Sequence, residues 1–415
     1  MRDRDVLIVD WTRGAPRLGV FGASDDRKLS FESTIGSRVV LKNEPAGLRV
    51  ISGAEAMAIE QTPQTIIFED SAAALSRTDE PELIRLLVQG FWNSLAEQLS
   101  AQKQCASEQF DTYVVTPQSF SPVVIKSLQA VARNHPLLKL QGCIQDAAAL
   151  IVSVLRAILF HEYETTRSEV TIALLIACDE QTIDIVCFDY APASPTRKTV
   201  FIRDCFQTTC ADLPKRLHEC DWLGSFSRLL IIEDPNLSAG ARSAIEWTSQ
   251  AIADAEIIRR ESLPGVTQLR MWGAAHIGLC AAGLAPDEYE YELATAWNLG
   301  LQIDQEYFHP IISKETWSSA SESSALATQA FGLHGKPTAS LRLNFCAGYS
   351  RWVADAVALG HTVLFREELA QLNESNVLTA SVSLDGEGGG EFRVGVMPQN
   401  RLLRCQEFTL PGLVV

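Results

Sequence analysis

Residues 170–190, VTIALLIACDEQTIDIVCFDY, decide how the chain is read. The arms TIALLIA and TIDIVCF are rich in β-branched and aromatic residues, and only Cys178 to Gln181 separate them. That pattern predicts two buried strands joined by a tight polar turn. A shorter apolar run closed by an acid, VLIVD at Val6–Asp10, opens the sequence and passes through Trp11-Thr12-Arg13-Gly14 into RLGVF. Two strand-turn-strand units so far apart in one chain predict a fold of two related halves with a cleft between them.

Between the two hairpins, LSFESTIGSRVVL and GLRVISGAEAMAI read as a strand pair running into a short helix, followed by a turn at Gln61 to Gln64. Leu83, Leu86, Leu87, Phe91, Leu95 and Leu99 recur at helical spacing and predict a long amphipathic helix over 81–101. A strand TYVVTP, a loop QSFS, a helix from about Pro122 to Asn134 and a buried helix in QDAAALIVSVLRAILF follow. Strands alternating with helices are the signature of an α/β domain with both sheet faces covered.

Beyond the core hairpin the scheme repeats more briefly. It runs through strand KTVFIRDC, a short helix near Leu213 to Cys220, strand SRLLIIED, a helix over 239–253 and the helix WGAAHIGLCAAGL. From about Pro286 the helical pattern stops. Short alternating strands (LGLQI, ASLRLNF, NVLTASVSL, EFRVGV) appear, with DGEGGGE reading as a loop between the last two. The expected domains are therefore 1–285 and a β-rich 286–415.

Length and composition narrow the class. A chain of 415 residues with 47% hydrophobic and 21% charged residues has room for a large core and reads as globular. A formal charge of −16 disfavours nucleic-acid and anionic-membrane partners, whose surfaces carry the same sign. The charged start MRDRD and the lack of a long apolar run predict a cytoplasmic chain with reduced thiols. Ten cysteines are scattered; the one grouping, Cys205, Cys210, His218 and Cys220, matches no standard zinc spacing, so no metal is expected there. No Ser/His/Asp triad, P-loop or H-E-x-x-H motif is present.

With that order of elements in view, the chain resembles the DnaK-type heat-shock protein 70 family. VLIVDWTRG is similar to the family's first phosphate hairpin, and GAEAMAIEQTPQTIIFED to its G-x-x-A stretch followed by P-x-N-T. VVTPQSFSPVVIKSLQAVA resembles the V-P-x-x-F segment, IQDAAAL the E-P-x-A-A-A-L connecting helix, and WGAAHIGLCAAGL the final G-A-A helix. In the tail, WNLGLQI, IISKETW and VLTASVSLDGEGGGEFRVGV are similar to peptide-domain strands. The resemblance implies an actin-like two-lobe ATPase fold over 1–285 followed by a C-terminal β-sandwich. Lobe I would span about 1–147 plus a return at 262–285, and lobe II about 148–261 with a reduced outer subdomain.

The departures from the family pattern bear on function. The second phosphate turn, D-L-G-G-G-T-x-D in the family, reads Ala177-Cys178-Asp179-Glu180-Gln181-Thr182-Ile183-Asp184. Bare glycine amides approach phosphates; side chains obstruct them. Carboxylates at Asp179 and Glu180 would also repel a triphosphate, by up to about 4 kcal/mol per contact at ~4 Å and an effective dielectric near 20. Ser71 aligns with the family's lysine, Ile144 with the acid of the connecting helix, and Glu233-Asp234 with the adenosine-side glycine pair. Asp10, Thr12, Gly14, Thr182 and Asp184 are what remains of the nucleotide site.

Each of these residues has a plain structural alternative. Asp10 reads as a metal-water ligand or as a turn residue bonding its own loop, Asp184 as a phosphate-side contact or as a sheet-face polar group. Asp179 and Glu180 read as a cation site or a solvated turn. His276 reads as a catalytic base or as a core histidine, and Trp11 and Trp272 as fillers of the space a nucleotide would occupy.

The polar stretch APDEYEYELA stands where the family has an apolar linker and would not bury a strand face. The sequence also stops just after the β region, leaving no expected helical lid. Together these features imply a degenerate chaperone or co-chaperone with no cofactor, or with weakly bound ATP or ADP and Mg. Its partner would be a protein: a J-domain protein, a ribosome-associated factor or a larger assembly. The alternatives are a working ATPase chaperone with altered contacts and a structural subunit.

Overall fold

The computed structural model describes the chain except residues 1–4, 13–15, 23–24, 35, 46, 79, 102–109, 118, 133–137, 157–169, 178–181, 193–196, 221–227, 234–238, 252–255, 261–265, 285–289, 296, 303–304, 313–325, 332–339, 349–352, 354–355, 371, 373–376, 385–388, 400 and 411–415. It divides into two compact units. The first is 1–294 with 413–415, the second 295–412.

The first unit is mixed α/β. One sheet holds β1 (Val6–Asp10), β2 (Arg17–Gly22), β3 (Asp25–Thr34), β7 (Phe110–Thr116) and β8 (Leu138–Gln145), in the order β3-β2-β1-β7-β8. Here β1 pairs antiparallel with β2 and parallel with β7, and β7 pairs parallel with β8. All five residues of β1 are buried, as expected of a central strand covered on both faces. A small sheet, β5-β4-β6, is built from β4 (Val39–Glu44), β5 (Gly47–Ile51) and β6 (Thr65–Phe68).

Around the first sheet lie α1 (Gly53–Met57), α2 (Ser71–Leu75), α3 (Pro81–Ala101) and α4 (Pro122–Ala132). The helix expected over 81–101 is α3, and its apolar stripe (Leu86, Leu87, Phe91, Leu95, Leu99) joins the core with Leu7, Val9 and Val114. Asp70 caps α2, its Oδ1 accepting from the Ala73 amide at 3.0 Å.

The second sheet repeats the first. It comprises β9 (Val170–Ala177), β10 (Thr182–Pro192), β11 (Arg197–Thr209), β12 (Arg228–Glu233), β13 (Glu256–Arg260) and β14 (Glu290–Thr295), ordered β13-β12-β9-β10-β11-β14. The hairpin at 170–190 is β9 and β10, antiparallel from Tyr190↔Val170 to Ile183↔Ala177. As in the first sheet, its outward strand also pairs parallel with a later strand, β12, which pairs parallel with β13. Strand order and polarity are thus duplicated. Helices α6 (Leu213–His218) and α7 (Ala239–Ala251) flank this sheet, with Leu213, Leu217 and Ile245 packed on Ile183, Ile185 and Ile231.

Two further helices, α5 (Asp146–Val154) and α8 (Val266–Ala281), each follow the last parallel strand of one repeat. They cross in close contact, and α8 also packs on β1, β3 and β7 of the first sheet. A Cβ at Gly273 would fall onto the carbonyl oxygen of Ala149, so only glycine permits this crossing. Every residue of α5 from Ala147 to Val154 is buried, which is why its sequence is apolar on all sides.

Several expectations are corrected. Leu138–Gln145 is a strand, so the buried helix begins at Asp146; the stretch 157–160 lies outside the described residues. Strands β6 and β13 had no separate signal in the sequence reading. The polar stretch after 285 contributes β14, which joins the β11 edge, because strand addition uses backbone hydrogen bonds and needs no apolar face. Trp11 does not fill a cleft. It is fully buried in the first-lobe core, stacked on Phe91 at 3.6 Å and edge-on to Phe120 at 5.5 Å.

The second unit has two antiparallel four-stranded sheets. The first has the order β16-β15-β18-β19, from β15 (Asn298–Gln302), β16 (Phe308–Ile312), β18 (Ser340–Gly348) and β19 (Val357–Phe365). The other has the order β17-β20-β21-β22, from β17 (Leu326–Phe331), β20 (Val377–Leu384), β21 (Gly389–Met397) and β22 (Arg401–Thr409). A short helix α9 (Arg366–Leu369) follows β19. Phe345 of one sheet stacks on Phe392 of the other at 4.2 Å, and Phe408 adds to the pair. Gly389 to Glu391, expected in a loop, already belong to β21; 385–388 lie outside the described residues.

Candidate functional site

Of the predicted site residues, Asp10, Thr12 and Asp184 are described with their side chains. Gly14, Asp179 and Glu180 lie outside the described residues, and Thr182 is described only as the first residue of β10.

Asp10 ends β1 and is buried. Its Oδ1 accepts from the Thr12 amide at 3.1 Å and from the Thr12 hydroxyl at 2.6 Å. This is the local Asx-type bonding by which a short acid closes a turn on its own backbone. Asp184 behaves differently. Gln207, its partner across β10 and β11, donates from Nε2 to Oδ1 at 2.7 Å. Arg270 of α8 donates from Nη2 to Oδ2 at 2.6 Å. Asp184 is 7% exposed and Arg270 2%, so the ion pair is withdrawn from bulk water.

Sequence reading missed Asp146 and Arg270. Asp146 opens α5, where its Oδ1 accepts from the Ala147 amide at 2.8 Å. It is part-exposed as a residue, yet protein surrounds it deeply enough that burial is the main cause of its carboxyl being pushed up to about 6. Arg270 opposes that rise, Asp184 adds to it, the Ala147 amide opposes it and Asp10 adds to it. Asp146, at the start of α5, thus feels the charges of Asp10 of β1, Asp184 of β10 and Arg270 of α8. Asp146 stands two residues beyond Ile144, the position aligned with the family acid. A signal was available: an acid directly before an all-apolar helix is placed at the positive end of its dipole. Arg270 had no comparable signal.

Other candidates resolve into packing. His276 is buried on α8, with Cys280 Sγ 3.4 Å from its Nε2. Cys210 and Cys220 pack against the second-sheet core, Cys205 is buried, and His218 meets Trp247 edge-on at 5.8 Å. Among the described residues no group of three or more His, Cys, Asp or Glu is placed to hold a metal ion. Burial pushes the Cys143 and Cys346 thiols up to about 12, which removes their thiolates at neutral pH. No helix among the described residues is long and apolar enough to cross a membrane.

In comparisons with known proteins, no protein-family model and no curated protein matches the chain. Among solved structures, the chain is similar to a non-polymerising point mutant of MamK bound to AMPPNP. The identity is 12%, the TM-score is 0.37, and the match covers 67% of this chain and 99% of that one. A likeness at that score carries no weight for the site. The class that the geometry itself defines is a mixed α/β protein with a duplicated sheet, joined at a helix crossing beside a buried ion pair.

Proposed function

We propose that residues 1–294 form an actin-like two-lobe module that binds nucleotide weakly or not at all. The chain would then work as a protein-interaction module, a degenerate relative of the heat-shock protein 70 chaperones. The duplicated strand order and the crossing of α5 and α8 support the two-lobe reading. One observation carries the weak-nucleotide reading: both carboxylate oxygens of Asp184 are already engaged, by Gln207 and by a buried guanidinium. An acid with its own counter-cation has little to offer a metal-bound triphosphate, and Asp10 is committed to its own turn. The donor set therefore fits a Mg–nucleotide poorly.

In this reading the second unit is a β-sandwich, supported by its two four-stranded sheets and the Phe345–Phe392 stack. The partner is a protein, of J-domain, ribosome-associated or larger-assembly type, and the setting is cytoplasmic. The formal charge of −16 supports a reading without nucleic acid or membrane. Isothermal titration of the full chain with Mg-ATP and Mg-ADP tests the proposal. No saturable heat below the millimolar range is expected, and a micromolar Kd overturns it.

The second reading is a working ATPase with altered contacts, favoured by the electrostatic influence of Asp10 and Asp184 on Asp146. Steady-state phosphate release that disappears in Asp10→Ala decides for it.

A further inference from the structure

The small sheet β5-β4-β6 of the first unit ends in an open strand. The Asn43 amide donates to the Gln64 carbonyl at 2.8 Å, which sets the phase of the β4–β6 ladder. Antiparallel pairing alternates the direction of the backbone groups, so Ile66 and Phe68 bond to β4 while Thr65 and Ile67 turn their backbone groups away from it. The Thr65 amide is taken by the Thr62 carbonyl at 3.0 Å. The edge ends after Phe68, where the Glu69 carbonyl accepts from the Ser37 hydroxyl at 2.9 Å. The carbonyls of Thr65 and Ile67 and the amide of Ile67 therefore face outward, with no strand beside them among the described residues.

Open edges are ordinarily guarded by a charge, a proline, a bulge or a covering element. The opposite edge, β5, carries Arg49, ion-paired with Glu55 at 2.9 Å, and the β11 edge of the second sheet is covered by β14. Strand β6 reads TIIF, holds no charge or proline and pairs with β4 in continuous register. It is apolar on both faces: Ile66 and Phe68 share the face of Leu41, and Ile67 that of Val40. Ile66 is 57% exposed. We propose that the β6 edge docks an extended segment of a partner protein, a short aliphatic run flanked by Lys or Arg. Only extended chain offers donors and acceptors at the spacing of the outward groups, and its apolar side chains would cover Ile66 and Phe68. The basic flanks follow from charge complementarity. Exposed acids lie on both sides of the strand in sequence, Glu60 before it and Glu69 after it, on a chain of formal charge −16. Arg38 reaches Glu69 at 3.4 Å but leaves its side chain 73% exposed. A second copy of the chain would bring the same acids and the same net charge, and is repelled. The inference rests on the interaction-module reading and gives it a site and a partner chemistry.

Isothermal titration of the full chain with a synthetic peptide tests it, the probe being alternating valine and threonine with two lysines at each end. Saturable binding in the micromolar range is expected. It should weaken at least tenfold when glutamates replace the lysines, and again when proline replaces the central valine. Ile66→Lys sets a charge on the edge at an exposed position and is expected to weaken binding at least tenfold. Leu48→Lys places the same charge at an exposed position of β5 and is expected to leave binding within twofold of the parent. Hydrogen exchange read by mass spectrometry should slow over 65–68 when the peptide is bound and stay unchanged over 47–51. No saturation below a millimolar, an equal loss in the two lysine variants, or protection confined to other segments overturns the site. Self-association in sedimentation velocity that Ile66→Lys abolishes overturns the choice of partner and gives the edge to a second copy. Failure at β6 leaves the interaction reading to other surfaces, and the titration with Mg-ATP reads its nucleotide part separately.

Discussion

The two repeats of the first unit share strand order and polarity but use their acids in opposite ways. In the first sheet β1 ends in Asp10, which turns back on Thr12 two residues away. In the second sheet the corresponding strand ends in Ala177, and the acid sits inside the return strand as Asp184, bonded outward to a helix that packs on the other repeat. The scaffold is set by apolar runs that any β-branched sequence of the right period can supply. The chemistry beside it depends on single side chains and on what faces them. A duplicated fold therefore does not imply a duplicated site.

The contrast between the acids is broken most forcefully at Arg270. Arg270→Met leaves Asp184 buried without its cation, and an uncompensated buried charge costs about 3–5 kcal/mol. Denaturant unfolding should show that loss in the first unit. An effect below about 1 kcal/mol would mean that the ion pair contributes no more than a surface one. The crossing of α5 and α8 is nearly as sensitive. Gly273→Ala drives a methyl into the Ala149 carbonyl and should cost roughly 3 kcal/mol, because the obstacle is backbone that cannot rotate away. A calorimetric Tm unchanged from the parent would show that the helices are not in close contact.

Asp146 sharpens the comparison through pH. Its carboxyl is raised from 3.8 to about 6 on folding, so the folded state holds the proton more tightly than the unfolded chain. The contribution is fully present below about pH 3.8 and is lost as pH rises through about 6. The full value is on the order of 3 kcal/mol, reduced by the solvent that reaches this part-exposed group. Asp146→Asn should flatten that segment of the stability–pH curve; a persistent fall between pH 4 and 7 would assign the titration to another group. Asp10 marks the small end of the series. Asp10→Asn keeps an acceptor for the Thr12 amide and hydroxyl and should cost no more than about 1 kcal/mol. A loss as large as that of Arg270→Met would erase the distinction between the two acids.

Much of the scaffold was legible. The continuous apolar runs of β1, β9 and β10, the leucine stripe of α3 and the all-apolar α5 announce themselves, because burial on one or both faces forces a period on the residues. Strands such as β8 and β13 escaped because LKLQGCIQ and EIIRR mix charge with short apolar runs and gain their place by pairing with a neighbour already in position. Trp11 misled for a related reason. Its neighbourhood resembles a phosphate turn, but the large indole found its partners in Phe91 and Phe120 within the first-lobe core.

By itself, the sequence determined the alternation of strands and helices, the duplicated hairpins, the change to a β-rich C-terminal region and the candidacy of Asp10 and Asp184. Only the tertiary structure decided that Asp10 serves its own turn, that Asp184 is paired with Arg270, and that Asp146 feels their charges. The reason is physical: hydrophobic periodicity is local and is written in every strand and helix. A buried charge instead takes its partner from whatever the fold brings near it, here a residue 86 positions away in the chain.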